Sequence, residues 1–224
     1  NFNMMIMVIY AFITIAIFGM WYYARYEGNF LPSPKKTFNP MMIVAIVILV
    51  PGTQFAANFI ANLTGHIRPD WLQQYNELFE TSGITDTTFV TVLYSVILAP
   101  ICEELIFRGV TMRCARKALP FALANLMQAA LFGLFHLNWI QGIYAFALGI
   151  VLGYVCECGG SIYYSIGLHL LFNLWGTLSG FFPDPGNSVV VFVIVIAVTI
   201  VSLVVGFVLF NKGRRKLPIN STGI

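Results

Sequence analysis

Seven apolar stretches of about 20 residues each dominate this 224-residue chain. A helix rises 1.5 Å per residue, so such a stretch can cross a hydrocarbon core about 30 Å thick. Only 9% of the residues are charged, whereas soluble domains carry roughly 25%. The alternating pattern of a membrane β-barrel is absent. We therefore predict an all-α, polytopic membrane helical bundle, with residues 1–224 forming a single integral membrane domain.

The predicted spans run along the chain as 4–23, 41–63, 88–108, 120–137, 140–155, 162–181 and 189–210. The third is expected to continue as a helix to Lys117. Between the second and third spans, the amphipathic piece from Trp71 to Phe79 is expected to lie on the membrane surface. Gly159-Gly160 and the stretch 183–187 predict the last two turns.

Basic residues cluster after the first, third and seventh spans: Arg25, Lys35, Lys36, Arg113, Arg116, Lys117, Lys212, Arg214, Arg215 and Lys216. With seven spans, all of them fall on one side of the membrane. The other side carries Arg68 and the acidic residues Asp70, Glu77, Glu80, Asp86 and Asp184. Because cytoplasmic loops are enriched in Lys and Arg, we expect the amino terminus outside and the carboxyl terminus in the cytoplasm.

Charge and cysteine content argue against a nucleic-acid-binding protein and against a disulfide-stabilised one. The net charge of +3 comes from residues at span ends rather than on one face, so no nucleic-acid partner is expected. Three of the four cysteines lie near ends predicted to be cytoplasmic, where a reducing environment disfavours disulfides.

Three short patterns place costly polar groups inside apolar segments: Glu103-Glu104-x-x-x-Arg108, Phe132-x-x-x-His136 and His169-x-x-x-Asn173. Burying charged or unpaired polar groups in hydrocarbon costs several kcal/mol. Packing does not need these residues, whereas a site that holds and activates water does.

Helical spacing divides these residues by role. At about 100° per residue, Glu104 and Arg108 share a helix face and are expected to pair. Glu103 points about 100° away from Glu104, so the two glutamates cannot share one partner equally, and Glu103 is left to face the interior of the bundle. Glu103 beside a neutral His136 can hold and deprotonate water, and His169 with Asn173 can donate to the resulting oxyanion. This set predicts hydrolysis of an amide bond.

Other interpretations remain open. His136 alone can be an interfacial residue, and Glu103-Glu104 with Arg108 can be a structural ion pair. A non-catalytic membrane protein, such as a bacteriocin immunity factor or scaffold, is the main alternative to an enzyme. A proton-relaying transporter is a third hypothesis, disfavoured because no repeat of hydropathy is evident.

In this order, the three patterns resemble the CPBP family of intramembrane endopeptidases, also called the Abi or CAAX-protease-and-bacteriocin-processing family. The similarity covers about residues 93–176, and the catalytic core is expected over about 88–181. The resemblance implies catalytic roles for Glu103, His136, His169 and Asn173. Glu104, Arg108 and Phe132 would support them.

The resemblance also implies a peptidase in a bacterial cell membrane that cuts near the cytoplasmic face. Its expected partners are the lipid bilayer and a membrane-associated peptide or lipidated protein as substrate. No cofactor is expected; if a metal such as zinc takes part, Glu103, His136 and His169 would be its ligands. The chain has no His-Glu-x-x-His motif, so we favour a metal-independent glutamate mechanism.

The positions of His136 and His169 along their helices conflict, and a break in the helix before the fourth span is needed to bring them together. Measured from Leu119, His136 lies about 25 Å along its helix, whereas His169 lies about 12 Å from Ser161. We therefore predict that residues 113–124 run along the surface and that the fourth span begins near Asn125.

Overall fold

A computed structural model of the protein describes residues 2–27, 38–82, 88–179 and 188–214. Eight helices account for nearly all of these residues, and no strand occurs among them. They are α1 (Phe2–Tyr22), α2 (Pro40–Ile67), α3 (Pro69–Ser82), α4 (Phe89–Ala115), α5 (Phe121–Phe135), α6 (Trp139–Gly159), α7 (Ile162–Ser179) and α8 (Val189–Gly213). The predicted all-α class is confirmed.

Each predicted span lies on a helix, and α1, α2, α4, α6 and α8 are long and apolar enough to cross a membrane. At 15 residues, α5 is shorter than a full span. The protein is therefore an integral membrane protein, and the count of seven spans stays a prediction. The predicted amphipathic piece lies within α3, which packs against α2 and α6.

Several predictions fall on residues outside the described ranges. These are the turn at 183–187, the end of the sixth span beyond Ser179, and the charged residues Lys35, Lys36, Asp86, Asp184, Arg215 and Lys216.

The core of the bundle is formed where α2, α6, α7 and α8 meet. Residues of all four helices are buried together there, among them Leu49, Leu152, Leu168 and Phe210. Most of the large apolar side chains of α1 and α8 are exposed instead. Such faces suit contact with lipid rather than water.

Pro51 interrupts the hydrogen bonding of α2, and α8 repairs the interruption. Ser202 on α8 accepts a hydrogen bond from the backbone N–H of Gly52 at 2.8 Å. The same hydroxyl donates to the carbonyl of Ile48. It thus replaces the direct bond from Gly52 to Ile48, as a backbone buried in an apolar bundle requires.

Small residues allow α5 and α6 to approach closely. A Cβ atom at Gly149 would lie 3.1 Å from Ala129, and one at Gly153 would lie 2.7 Å from Nε2 of Gln128. Ala145, four residues before Gly149, is buried against Phe132. Small residues at four-residue spacing on α6 therefore face α5 and allow its close approach.

The predicted break before the fourth span occurs, but at a different place. Residues 113–115 complete α4, residues 116–120 form a turn, and α5 begins at Phe121. The predicted start near Asn125 and the surface segment 113–124 were wrong. Pro120 sets the boundary because its extended backbone (φ −62°, ψ 156°) immediately precedes the first helical residue.

Candidate active site

The glutamate pair lies on a short α-helical piece of α4 between two π-helical pieces. Ala99–Glu104 is α-helical, whereas Leu93–Leu98 and Leu105–Met112 are π-helical. Pro100 contributes to this irregularity because it has no N–H to donate to the preceding turn. Wider π turns are frequently found at functional sites, and here they flank Glu103 and Glu104.

Glu104 and Arg108 form the predicted ion pair, fully buried. Nη1 of Arg108 donates to Oε1 of Glu104 at 2.8 Å, and both side chains are 0% exposed. Nη2 of Arg108 donates to the carbonyl of Gly149 on α6 at 3.3 Å. The guanidinium also lies 4.5 Å from the centre of the Phe132 ring on α5. Arg108 therefore links α4 to α5 and α6.

His169 lies between the two glutamates. Its Nδ1 is 2.9 Å from Oε1 of Glu104, and its Nε2 is 3.5 Å from Oε2 of Glu103. Since Glu104 is paired with Arg108, its ionised carboxylate accepts from Nδ1–H of His169, which fixes the orientation of the ring. Spacing alone suggested that the glutamates could not share one partner equally; they share His169 through opposite ring nitrogens and at unequal distances.

His136 is positioned by the end of α5. Its backbone N–H bonds to the carbonyl of Gly133 at 3.3 Å, which leaves the carbonyl of Phe132 free for the imidazole Nδ1 at 2.8 Å. A carbonyl can only accept, so Nδ1 carries the proton and Nε2 of the neutral ring can accept one. Leu137 follows with φ +53°, the one positive φ among the described non-glycine residues.

Asn173 lies one helical turn after His169 on α7. Its Nδ2 donates to the backbone carbonyl of Ser95 on α4 at 2.8 Å. That carbonyl lies at the π-helical piece that precedes the glutamates. One N–H of the carboxamide is thus used to orient the side chain, and the amide has a second N–H to donate.

All four predicted catalytic residues line one cavity of about 810 Å³. Glu103, His136, His169 and Asn173 come from α4, α5 and α7, and the ring of Phe132 also lines the cavity. The Glu103 side chain is 16% exposed, in contrast to the enclosed Glu104. The division expected between one paired and one available glutamate is therefore what the geometry shows.

The geometry pairs Glu103 with a different histidine from the one expected. Its nearest imidazole contact among those described is Nε2 of His169, whereas His136 faces the same cavity from α5. A water molecule in this cavity would thus be flanked by one carboxylate and two imidazoles.

The sequence interpretation missed several polar residues around the site. Gln128 is fully buried, and its Nε2 donates to the carbonyl of Gly149 at 2.8 Å, the same carbonyl that Arg108 contacts. Gln54 and Asn58 of α2 line the cavity, as does Tyr75 of α3. An amide within an apolar span is the signal that would have revealed Gln54 and Gln128.

Among the described residues, no three His, Cys, Asp or Glu side chains lie close enough together to hold a metal ion. The conditional set Glu103, His136 and His169 is included in that statement. Nδ1 of each histidine is hydrogen bonded, which leaves Nε2 as the ring nitrogen directed to the cavity.

Comparison with known proteins supports a protease family. Residues 85–175 match the family model described as Rce1-like, type II CAAX prenyl endopeptidase. The match contains all three motifs and confirms the resemblance found in the sequence. No curated protein and no solved structure matches the chain.

Proposed function

We propose that this protein, like the family that residues 85–175 match, is an intramembrane endopeptidase. Its substrate would be a membrane-associated peptide or a lipidated protein. The observation that supports this most directly is the convergence of Glu103, His136, His169 and Asn173 on one cavity inside a bundle of apolar helices.

In the proposed reaction, a water molecule held between Glu103 and His136 attacks the carbonyl carbon of the scissile peptide bond. Its proton passes to the Glu103 carboxylate or to Nε2 of His136, which the hydrogen bond at Nδ1 leaves free to accept. The tetrahedral intermediate then collapses with cleavage of the C–N bond. The leaving amine takes the proton back from the same group.

The negative oxygen of the intermediate would be stabilised by His169 and Asn173. Nδ1 of His169 already donates to Glu104, so Nε2 can donate to the oxyanion only when the ring is protonated at both nitrogens. Nε2 of His169 lies in the cavity, 3.5 Å from Oε2 of Glu103. Asn173 adds the second N–H of its carboxamide.

Glu104, Arg108 and Phe132 are positioning residues in this proposal. The buried pair of Glu104 and Arg108 presents a fixed carboxylate oxygen to His169. Phe132 touches both imidazoles edge-on, with ring centroids 4.9 Å from His136 and 5.8 Å from His169. We propose that no metal takes part, because no three possible ligands among the described residues lie close enough together to hold one.

Comparing the membrane and secreted peptides of the host with and without Glu103→Gln tests the function. We expect one cleavage product to disappear in Glu103→Gln and in His136→Ala, with its precursor accumulating. Glu157→Gln is a matched control, since Glu157 lies outside the cavity in a pair with Arg116 that is about one-third exposed. Protein level and membrane insertion are measured for every variant.

An undiminished product in either catalytic variant would refute the proposal and favour the non-catalytic immunity or scaffold function. Treating washed membranes with 1,10-phenanthroline tests the absence of a metal. Loss of the product that added zinc restores would contradict a metal-independent reaction.

A further inference from the structure

Six of the eight described Lys and Arg residues gather at one end of the bundle. This basic end is defined by Arg25, Arg113, Arg116, Lys117, Lys212 and Arg214. Contacts between helices hold it together: Arg113 donates to the hydroxyl of Tyr22 at 3.1 Å, and Arg116 pairs with Glu157 at 3.0 Å. The single positive charge described at the opposite end is Arg68, which Asp70 neutralises at 2.6 Å.

The cavity extends from the middle of the bundle towards the end opposite the basic end. Two of its lining residues, Glu103 and His169, lie near the middle of α4 and α7. Its other lining residues lie on the parts of the helices that point away from the basic end. Five polar residues among these define the mouth: Asn58, Tyr75, Gln141, Thr177 and Ser179.

The position of the mouth relative to the basic end indicates from which side of the membrane a substrate enters the cavity. Under the positive-inside rule, the basic end lies in the cytoplasm. We propose that the cavity opens to the extracytoplasmic side and admits an exported, membrane-associated polypeptide rather than a cytoplasmic prenylated tail. This rests on the proposed peptidase function, and it replaces the expectation, drawn from the family resemblance, of cleavage near the cytoplasmic face.

The side chains that line the cavity restrict which polypeptide segments can bind there. Glu103 is the one Asp or Glu among the described residues that line the cavity, and no Lys or Arg is among them. A free terminal carboxylate therefore has no Lys or Arg partner there. Amides and hydroxyls such as Gln54, Gln141 and Thr177 can instead pair with the backbone of an extended chain. The cavity thus suits an uncharged internal segment, as an endopeptidase requires.

Cysteine accessibility in intact cells tests the side of access. Asn58 and Ser179 are exposed at the mouth, and the natural Cys114 is exposed at the basic end. Variants carrying Asn58→Cys or Ser179→Cys, with the four natural cysteines replaced, are treated with a membrane-impermeant maleimide. The matched control keeps Cys114 alone. Labelling is compared between intact spheroplasts and spheroplasts opened with detergent.

We expect the two mouth cysteines to react in intact spheroplasts and Cys114 to react only after they are opened. Mouth cysteines that stay unlabelled until the membrane is opened would overturn the proposal, whatever Cys114 does. Repeating the labelling with Glu103→Gln separates this result from catalysis. Failure of the peptidase hypothesis would leave the labelling pattern unchanged, and a reversed pattern would leave the loss of product in Glu103→Gln intact.

Discussion

Replacing Arg108 by Met tests whether the buried ion pair organises the site. Removing one partner of a buried pair typically costs about 3–5 kcal/mol, because the remaining charge is left uncompensated in a low-dielectric interior. Here the carbonyl of Gly149 keeps its bond from Gln128, and Glu104 keeps its bond from His169. These remaining contacts place the expected loss of unfolding free energy near the lower limit, about 3 kcal/mol.

The double variant Glu104→Gln/Arg108→Met removes both charges and should recover most of that loss, since buried pairs are often replaced at little net cost. Unfolding free energies are measured by denaturant titration in mild detergent. Arg116→Met is the control. Its pair with Glu157 is about one-third exposed, so a loss of about 1 kcal/mol or less is expected.

Peptide product measured in the same host assay distinguishes positioning from folding. The double variant should be folded yet yield less product, because a carboxamide at position 104 binds Nδ1–H of His169 more weakly than a carboxylate does. A single Arg108→Met variant that loses no more stability than Arg116→Met would refute the reasoning. The reasoning would also be refuted if the double variant lost as much unfolding free energy as Arg108→Met and Glu104→Gln lose together as single variants, since the paired charges would then be uncoupled.

Two further changes test local packing. Gly153→Ala places a Cβ against Oδ1 of Asn125, which is itself bonded to Gln128, so the free energy of unfolding should fall by about 1–3 kcal/mol. Gly167→Ala is the control, because open space surrounds that position, and it should be neutral or stabilising. Equal losses of unfolding free energy in the two variants would contradict the close approach of α5 and α6. Leu137→Gly relieves a left-handed backbone costing about 1–2 kcal/mol, against about 0.5–1 kcal/mol of added chain entropy. Its melting temperature in detergent should therefore not fall, and a clear decrease would show that the Leu137 side chain contributes contacts that outweigh the strain.

Apolar length predicted the helical class, and the cavity residues were identified because polar groups inside apolar segments are costly and because their spacing resembles three family motifs. Apolar length identifies helices suited to a membrane, and four-residue spacing placed Glu104 beside Arg108. Long-range details depend on packing between helices and were not predictable in this way. The sharing of His169 by both glutamates results from the approach of α7 to α4, and the anchoring of Asn173 on Ser95 has the same origin.

The π-helical pieces of α4 are a second feature that could not be predicted from the sequence. The angle of 100° per residue used to separate Glu103 from Glu104 assumes an α-helix, and a π turn contains more residues. Pro100 was visible in the sequence as a residue that weakens the preceding turn. It does not reveal that the irregularity extends over Leu93–Leu98 and Leu105–Met112.

The depth conflict between the histidines is resolved by packing rather than by a surface segment. The sequence estimate assumed that the fourth and sixth spans begin at one membrane level. In the structure, α5 packs closely on Gly149 of α6, and Phe132, rather than His136, contacts the ring of His169. His136 lies one turn further along, and its ring turns back to the Phe132 carbonyl, as Cβ atoms that tilt towards the start of a helix allow. The histidine and phenylalanine of this motif therefore act together, because the ring of Phe132 fills the step in depth that would otherwise separate the two imidazoles.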